Sequence, residues 1–176
     1  MQRTKNFCYP RDQTIIDRYN TYGSVCFRNT SCFTSAAKCE FVDDKKIFSS
    51  SGQYFTWKKI KLFENEDLAI RILETNVPVE HKYYSMQIKG FDKCKWDKYK
   101  IQFMYEACYY KFSQNSLLQK ELIDTGEKVL VNLLPKDNTW GVGLSVSRKA
   151  QDPRNWLGEN YLGLILMRVR DDLKNL

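Results

Sequence analysis

Apolar residues fall along the chain in short bursts whose spacing predicts more helix than strand. Phe41-Val42 and Ile47-Phe48 bracket the polar run Asp43-Asp44-Lys45-Lys46, the pattern of two short strands around a turn. Ser49-Ser50-Ser51 follows, with hydroxyls able to cap a helix carrying Tyr54, Phe55 and Ile60. Leu68, Ile72 and Leu73 lie on one side of a second helix over 66–74. Between Tyr99 and Phe112, the residues Ile101, Met104, Cys108 and Phe112 recur at helical spacing, a core stripe. Ser116 can cap a helix through Leu117, Leu118 and Leu122 that stops at Thr125-Gly126. Val129-Leu130-Val131 reads as a buried strand. Leu162, Ile165, Leu166, Val169 and Leu173 share one face of a C-terminal helix, with Arg168, Asp171, Asp172 and Lys174 turned away from it. Residues 1–32 carry no such pattern and read as a polar N-terminal arm, which leaves 33–176 as a single domain. Helices outnumber strands in a mixed order, so the expected fold class is α+β, mostly helical with a small sheet.

A length of 176 residues suits one domain with a sizeable core. Hydrophobic residues at 43% and charged residues at 28% exclude a disordered or collagen-like chain. No apolar run approaches the roughly 20 residues a membrane span needs. The polar N-terminus has no apolar stretch behind it, so the expectation is a soluble intracellular protein without membrane contact. The six cysteines form no C-x-x-C pair and are expected to be reduced thiols. His81 is the only histidine and lies in the polar stretch Glu80-His81-Lys82, where a solvated loop residue is expected. With one imidazole, neither a zinc site nor a Ser-His or Cys-His hydrolase is indicated.

The charge balance adds a possible partner class. The formal net charge is +7, and Lys89, Lys93, Lys95, Lys98 and Lys100 fall close together among Phe91, Trp96 and Tyr99. Lysines neutralise phosphates and aromatic faces stack on bases, so the 89–100 segment suits a nucleotide or nucleic acid. A solvated lysine-rich face with buried aromatics has the same composition.

Three later segments are more specific. They are Lys111-Phe112 with Asn115, ahead of Leu122 and Thr125-Gly126; Asp137-Asn138-Thr139-Trp140-Gly141-Val142-Gly143-Leu144; and Trp156-Leu157-Gly158-Glu159-Asn160-Tyr161-Leu162-Gly163, continuing through Leu166-Met167 to Arg170. In this order they closely resemble the YbiA-like, or NADAR, family. Upstream, Phe33 to Phe41, Phe48 to Phe55 with Lys59, and Gly90-Phe91-Asp92 with Trp96 resemble its earlier segments. The resemblance covers Phe33 to Leu173.

It implies an α+β, mostly helical fold and an N-glycosidase that cuts a ribose-to-nitrogen bond. The substrate class would be an ADP-ribosylated base or a riboflavin-pathway intermediate, with no metal and no cofactor. Such cleavage passes through an oxocarbenium-like sugar and needs a carboxylate, together with aromatic walls for the base. On the family match, Asp137, Lys59 and Trp140 are the catalytic candidates, and Trp96, Lys111, Asn160 and Gly141 the ligand-binding ones. Gly52 stands where the family has an acidic residue, Met86 at a basic position and Asn132 at an acidic one. The site therefore reads as degenerate at Gly52. Three readings follow: an active N-glycosidase using Asp137 or an acid such as Glu40, a module that binds an ADP-ribose-like ligand or nucleic acid without cutting it, and a structural pseudoenzyme. Each candidate has a bland counterpart. Asp137 also fits a turn, Trp96 and Trp140 a core, Lys59 a solvated face, Gly141 and Gly143 a tight backbone path, and Asn160 a helix cap.

Overall fold

The computed structural model describes residues 13–28 and 30–175. They form two compact units, divided within one helix: the described residues up to Thr34 together with those from Lys120 onward, and Ser35–Gln119. No helix among the described residues is long and apolar enough to cross a membrane.

The 35–119 unit is built on a hairpin and four helices. Strands β2 (Phe41–Asp43) and β3 (Lys46–Phe48) pair antiparallel, with Val42 opposite Ile47. Their two-residue turn places both Asp44 (φ 44°) and Lys45 (φ 61°) in the left-handed region, as a tight hairpin of matching twist requires. Helix α2 (Ser51–Leu62) starts at Ser50, whose hydroxyl accepts the Gln53 N–H. The α2 helix packs against α3 (Glu66–Leu73), α4 (Pro78–Met86) and the long α5 (Lys93–Ser113). Phe41, Phe48, Tyr54 and Ala107 form one apolar cluster, and Ile60, Ala69, Ile72 and Ile88 another.

Gln53 binds this unit internally. It is buried, its Oε1 accepts from the Ser49 N–H at 2.6 Å, and its amide donates to the carbonyls of Ile72 at 2.9 Å and Thr75 at 2.7 Å. Two expectations change here. The stripe over 99–112 belongs to a helix that begins earlier, because Asp92 caps it by accepting from the N–H groups of Cys94 and Lys95. His81 is not a solvated loop residue: it is buried on α4, its Nε2 lying 3.0 Å from the Thr75 carbonyl oxygen. The α4 segment was illegible because its apolar residues Val79, Tyr83 and Met86 are exposed, so no buried stripe marks it.

The other unit pairs β1 (Ser24–Phe27) in parallel with β4 (Val129–Asn132), Ser24 opposite Val129 and Phe27 opposite Asn132. Preceding β1 is α1 (Gln13–Tyr22). Residues 13–27 are thus a helix and a strand rather than an irregular arm, while the first twelve residues of that expectation lie outside the described residues. The pattern failed there because α1 buries Ile15 alone and β1 is only four residues long. Helix α6 (Ser116–Asp124) leads into β4, and the short α7 (Arg148–Gln151) precedes the C-terminal α8 (Tyr161–Lys174). The α8 helix lies on β4 at close range, since a side chain at Gly163 would run into the Leu130 carbonyl. Arg170 of α8 is fully buried and donates from Nη1 to Thr125 Oγ1 at 2.7 Å and to the Lys128 carbonyl at 3.0 Å. That contact explains why the Thr-Gly stop of α6 and the arginine of α8 occur together.

Candidate functional site

In the 35–119 unit the structure brings Lys59 and Trp96 together. Lys59 projects from α2, and its ammonium lies 5.4 Å from the centroid of the Trp96 ring on α5 and 4.7 Å from that of Phe91. Lys59 Nζ donates to Ser85 Oγ of α4 at 2.9 Å. Trp96 is half-buried rather than a core aromatic, and its centroid lies 5.1 Å from that of Phe55. Burial pulls the Lys59 ammonium below its ordinary pKa, because desolvation penalises the charged form.

Gly52 is the second residue of α2, and its N–H donates to the Ser35 carbonyl at 2.8 Å. Lys111 is 1% exposed, on the inner face of α5. Its charge works against the desolvation that raises the thiols of Cys39 and Cys108, the latter to about 12. Glu40 is exposed, and Met86 is exposed on α4.

A polar cluster in the same unit escaped the sequence reading. The Tyr54 hydroxyl donates to Asp43 Oδ2 at 2.9 Å, and Lys58 pairs with Glu106 at 2.9 Å. Burial and the two carboxylates push the Tyr54 phenol well above its usual range. No spacing signal could have found it, because the hairpin, α2 and α5 each supply part.

In the other unit, Asp137 and Trp140 share one loop. Asp137 Oδ1 accepts from the N–H groups of Thr139 at 2.9 Å and Trp140 at 2.7 Å, a side-chain-closed turn. Trp140 is half-buried and meets Tyr161 edge-on at 6.4 Å between centroids. The carbonyls of Asn138, Thr139, Trp140 and Gly141 accept the N–H groups of Glu159, Tyr161, Leu162 and Asn160. The D-x-x-W-G loop thereby satisfies the donors at the start of α8, which a helix leaves without intrahelical partners. Asn132 contributes an amide that donates to the Trp140 carbonyl at 3.1 Å. Gly141 is buried, and a Cβ there would lie 2.6 Å from that of Leu134.

Asn160 occupies the N-cap position in a left-handed conformation (φ 54°), yet its side chain makes no cap. Its amide instead pairs with the edge of β4, donating to the Leu130 carbonyl at 2.8 Å and accepting the Asn132 N–H at 2.9 Å. Among the described residues, no group of three or more His, Cys, Asp or Glu side chains gathers as a metal site.

These interlocked motifs define a family. The chain belongs to the NADAR domain family, whose pattern it matches over residues 18–174. The match takes in part of the segment read above as an arm. An N-glycosidase of Acanthamoeba polyphaga mimivirus is 35% identical over 126 residues, 71% of this chain and 74% of that protein. N-glycosidase YbiA of Shigella boydii is 26% identical over 174 residues, covering 97% of this chain and 96% of its own. The NMR structure of the E. coli protein YbiA superposes with a TM-score of 0.72 at 25% identity, covering 88% of this chain and 86% of that one. The α+β fold, mostly helical with little sheet, is therefore the fold of YbiA.

Proposed function

We propose that this protein is an N-glycosidase acting on a ribosyl C–N bond in a nucleotide-like substrate, either an ADP-ribosylated base or a riboflavin-pathway intermediate. The carrying observation is Lys59, half-buried over two aromatic rings with its pKa lowered by burial. Desolvation favours the neutral amine, and that form can act as a base toward water or as a nucleophile toward an anomeric carbon. Trp96 offers the face for the base, and the carboxylate that the cationic sugar requires is assigned to Asp137 on the family match. On the family match alone Trp140 is a further catalytic candidate, and Lys111, Asn160 and Gly141, all buried, are candidate supports of the ligand.

A second reading is favoured by Gly52, which carries no carboxylate where the family has an acid: a module that holds an ADP-ribose-like ligand without cutting it.

Release of free base from ADP-ribosylated guanine, followed by mass spectrometry, separates the two. Turnover abolished in both Lys59→Met and Asp137→Asn is the expected result, since a positioned acid or base contributes about 10²–10⁴-fold. Turnover absent from the wild type on both ADP-ribosylated guanine and a riboflavin-pathway intermediate, with heat on titration of ADP-ribose, would establish the binding module instead. Gly52→Glu raising a weak wild-type rate would identify the missing carboxylate as the cause of the weakness.

A further inference from the structure

We propose that Ser85 is the positioning residue for the Lys59 amine, fixing where its nitrogen sits against the Phe91 and Trp96 rings. The inference rests on the reading of Lys59 given above and adds a residue that neither the sequence pattern nor the family match singles out.

The geometry is specific. Among the described residues, Ser85 of α4 at 2.9 Å, Phe91 just before α5 and Trp96 of α5 face the amine. The two rings supply attraction without direction, because a cation over a ring face can slide at little cost. Among the described residues, the serine hydroxyl is the directional partner that fixes where the nitrogen sits. It accepts from the ammonium and, once a proton has left, can donate to the amine lone pair, so it serves both protonation states.

The neighbouring charges are occupied elsewhere. Lys58 pairs with Glu106 and Lys61 with Glu66, while Lys95 donates to the Leu62 carbonyl. Asp92 is engaged in capping α5. Burial is the cause of the lowered Lys59 pKa, with no charged partner contributing.

Ser85 therefore acts on the charge of the amine and not only on its packing. The serine oxygen stabilises the ammonium, so its removal lowers the titration midpoint further. Were Ser85 merely packing, its loss would admit water and move the midpoint up.

Pulse acetylation with acetic anhydride across a pH series, read at Lys59 by mass spectrometry, measures this without any substrate. The expected result is a downward shift in Ser85→Ala and the wild-type midpoint in Ser85→Thr. Ser85→Cys, which keeps the volume but accepts weakly, should follow Ser85→Ala. An unmoved or raised midpoint in Ser85→Ala overturns the assignment. Because labelling needs no turnover, loss of the glycosidase reading and loss of the Ser85 assignment are separate results.

Discussion

Gly52 has a structural reason to stay small as well as a chemical consequence. A Cβ there would lie 3.0 Å from the Ser35 carbonyl oxygen, tighter than ordinary contact, and 3.4 Å from its carbon. That carbonyl is also held in place, accepting from the Gly52 N–H at 2.8 Å and the Ser51 hydroxyl at 3.3 Å. Replacing glycine by alanine inside a helix ordinarily gains about 0.5–1 kcal/mol. Here the clash opposes that gain, and the backbone it meets is anchored. Gly52→Ala is expected to lower stability by about 1 kcal/mol, a fall of roughly 2–4 °C in melting temperature for a chain of this size. Differential scanning calorimetry reads it directly, and a higher melting temperature would mean that the Ser35 strand of chain gives way. The absent carboxylate was legible from the motif text, whereas the carbonyl that fills its approach was not, because Ser35 is distant in sequence.

Between elements, the most informative contact is the Asn160 amide on the free edge of β4. One edge of β4 pairs with β1, and Asn160 satisfies the opposite edge at Leu130 and Asn132 as a short strand would. Asn160→Ala strands two buried backbone groups, costing roughly 1–3 kcal/mol each, and forces alanine into the left-handed region at about 1–2 kcal/mol. Asn160→Gly relieves only the second cost. The alanine variant should therefore be the less stable of the two by about 1 kcal/mol, with a urea slope like that of the wild type. Equal midpoints for the two variants would remove the conformational part of the argument.

The same contact shows what sequence could and could not convey. The strong apolar stripes of α5 and α8 and the hairpin 41–48 were legible because packing sets their periodicity. Asn160 was legible as a motif residue, but its partner was not, since a cap and a strand-edge latch look alike in sequence. Lys59, Phe91 and Trp96 came from motif text, while Ser85 gains its meaning only when α4 and α5 converge on α2.

For the whole molecule, the net charge of +7 overstates what the 89–100 segment offers to a polyanion. Lys93 and Lys100 both reach Asp97, at 2.5 and 2.7 Å, and these contacts lower the Asp97 pKa. Lys95 donates to the Leu62 carbonyl at 3.0 Å while lying over the Phe63 ring. Three of the five lysines are thus engaged within the protein, leaving Lys89 and Lys98 as the more available charges. Each lysine that neutralises a phosphate on a single strand steepens the dependence of log K on log salt by about 0.7. The wild type should therefore bind a short single-stranded oligonucleotide with a shallow slope, well below that of five contacts. Asp97→Asn releases two lysines and should steepen the slope by up to about 1.4, whereas a base stacked on Trp96 would add affinity without changing it. Fluorescence anisotropy over a salt series, on the wild type, Asp97→Asn and Trp96→Ala, separates the two contributions. A five-charge slope in the wild type would show that the phosphates displace Asp97 from its lysines, and a slope unmoved in Asp97→Asn would place the nucleic-acid contact away from α5.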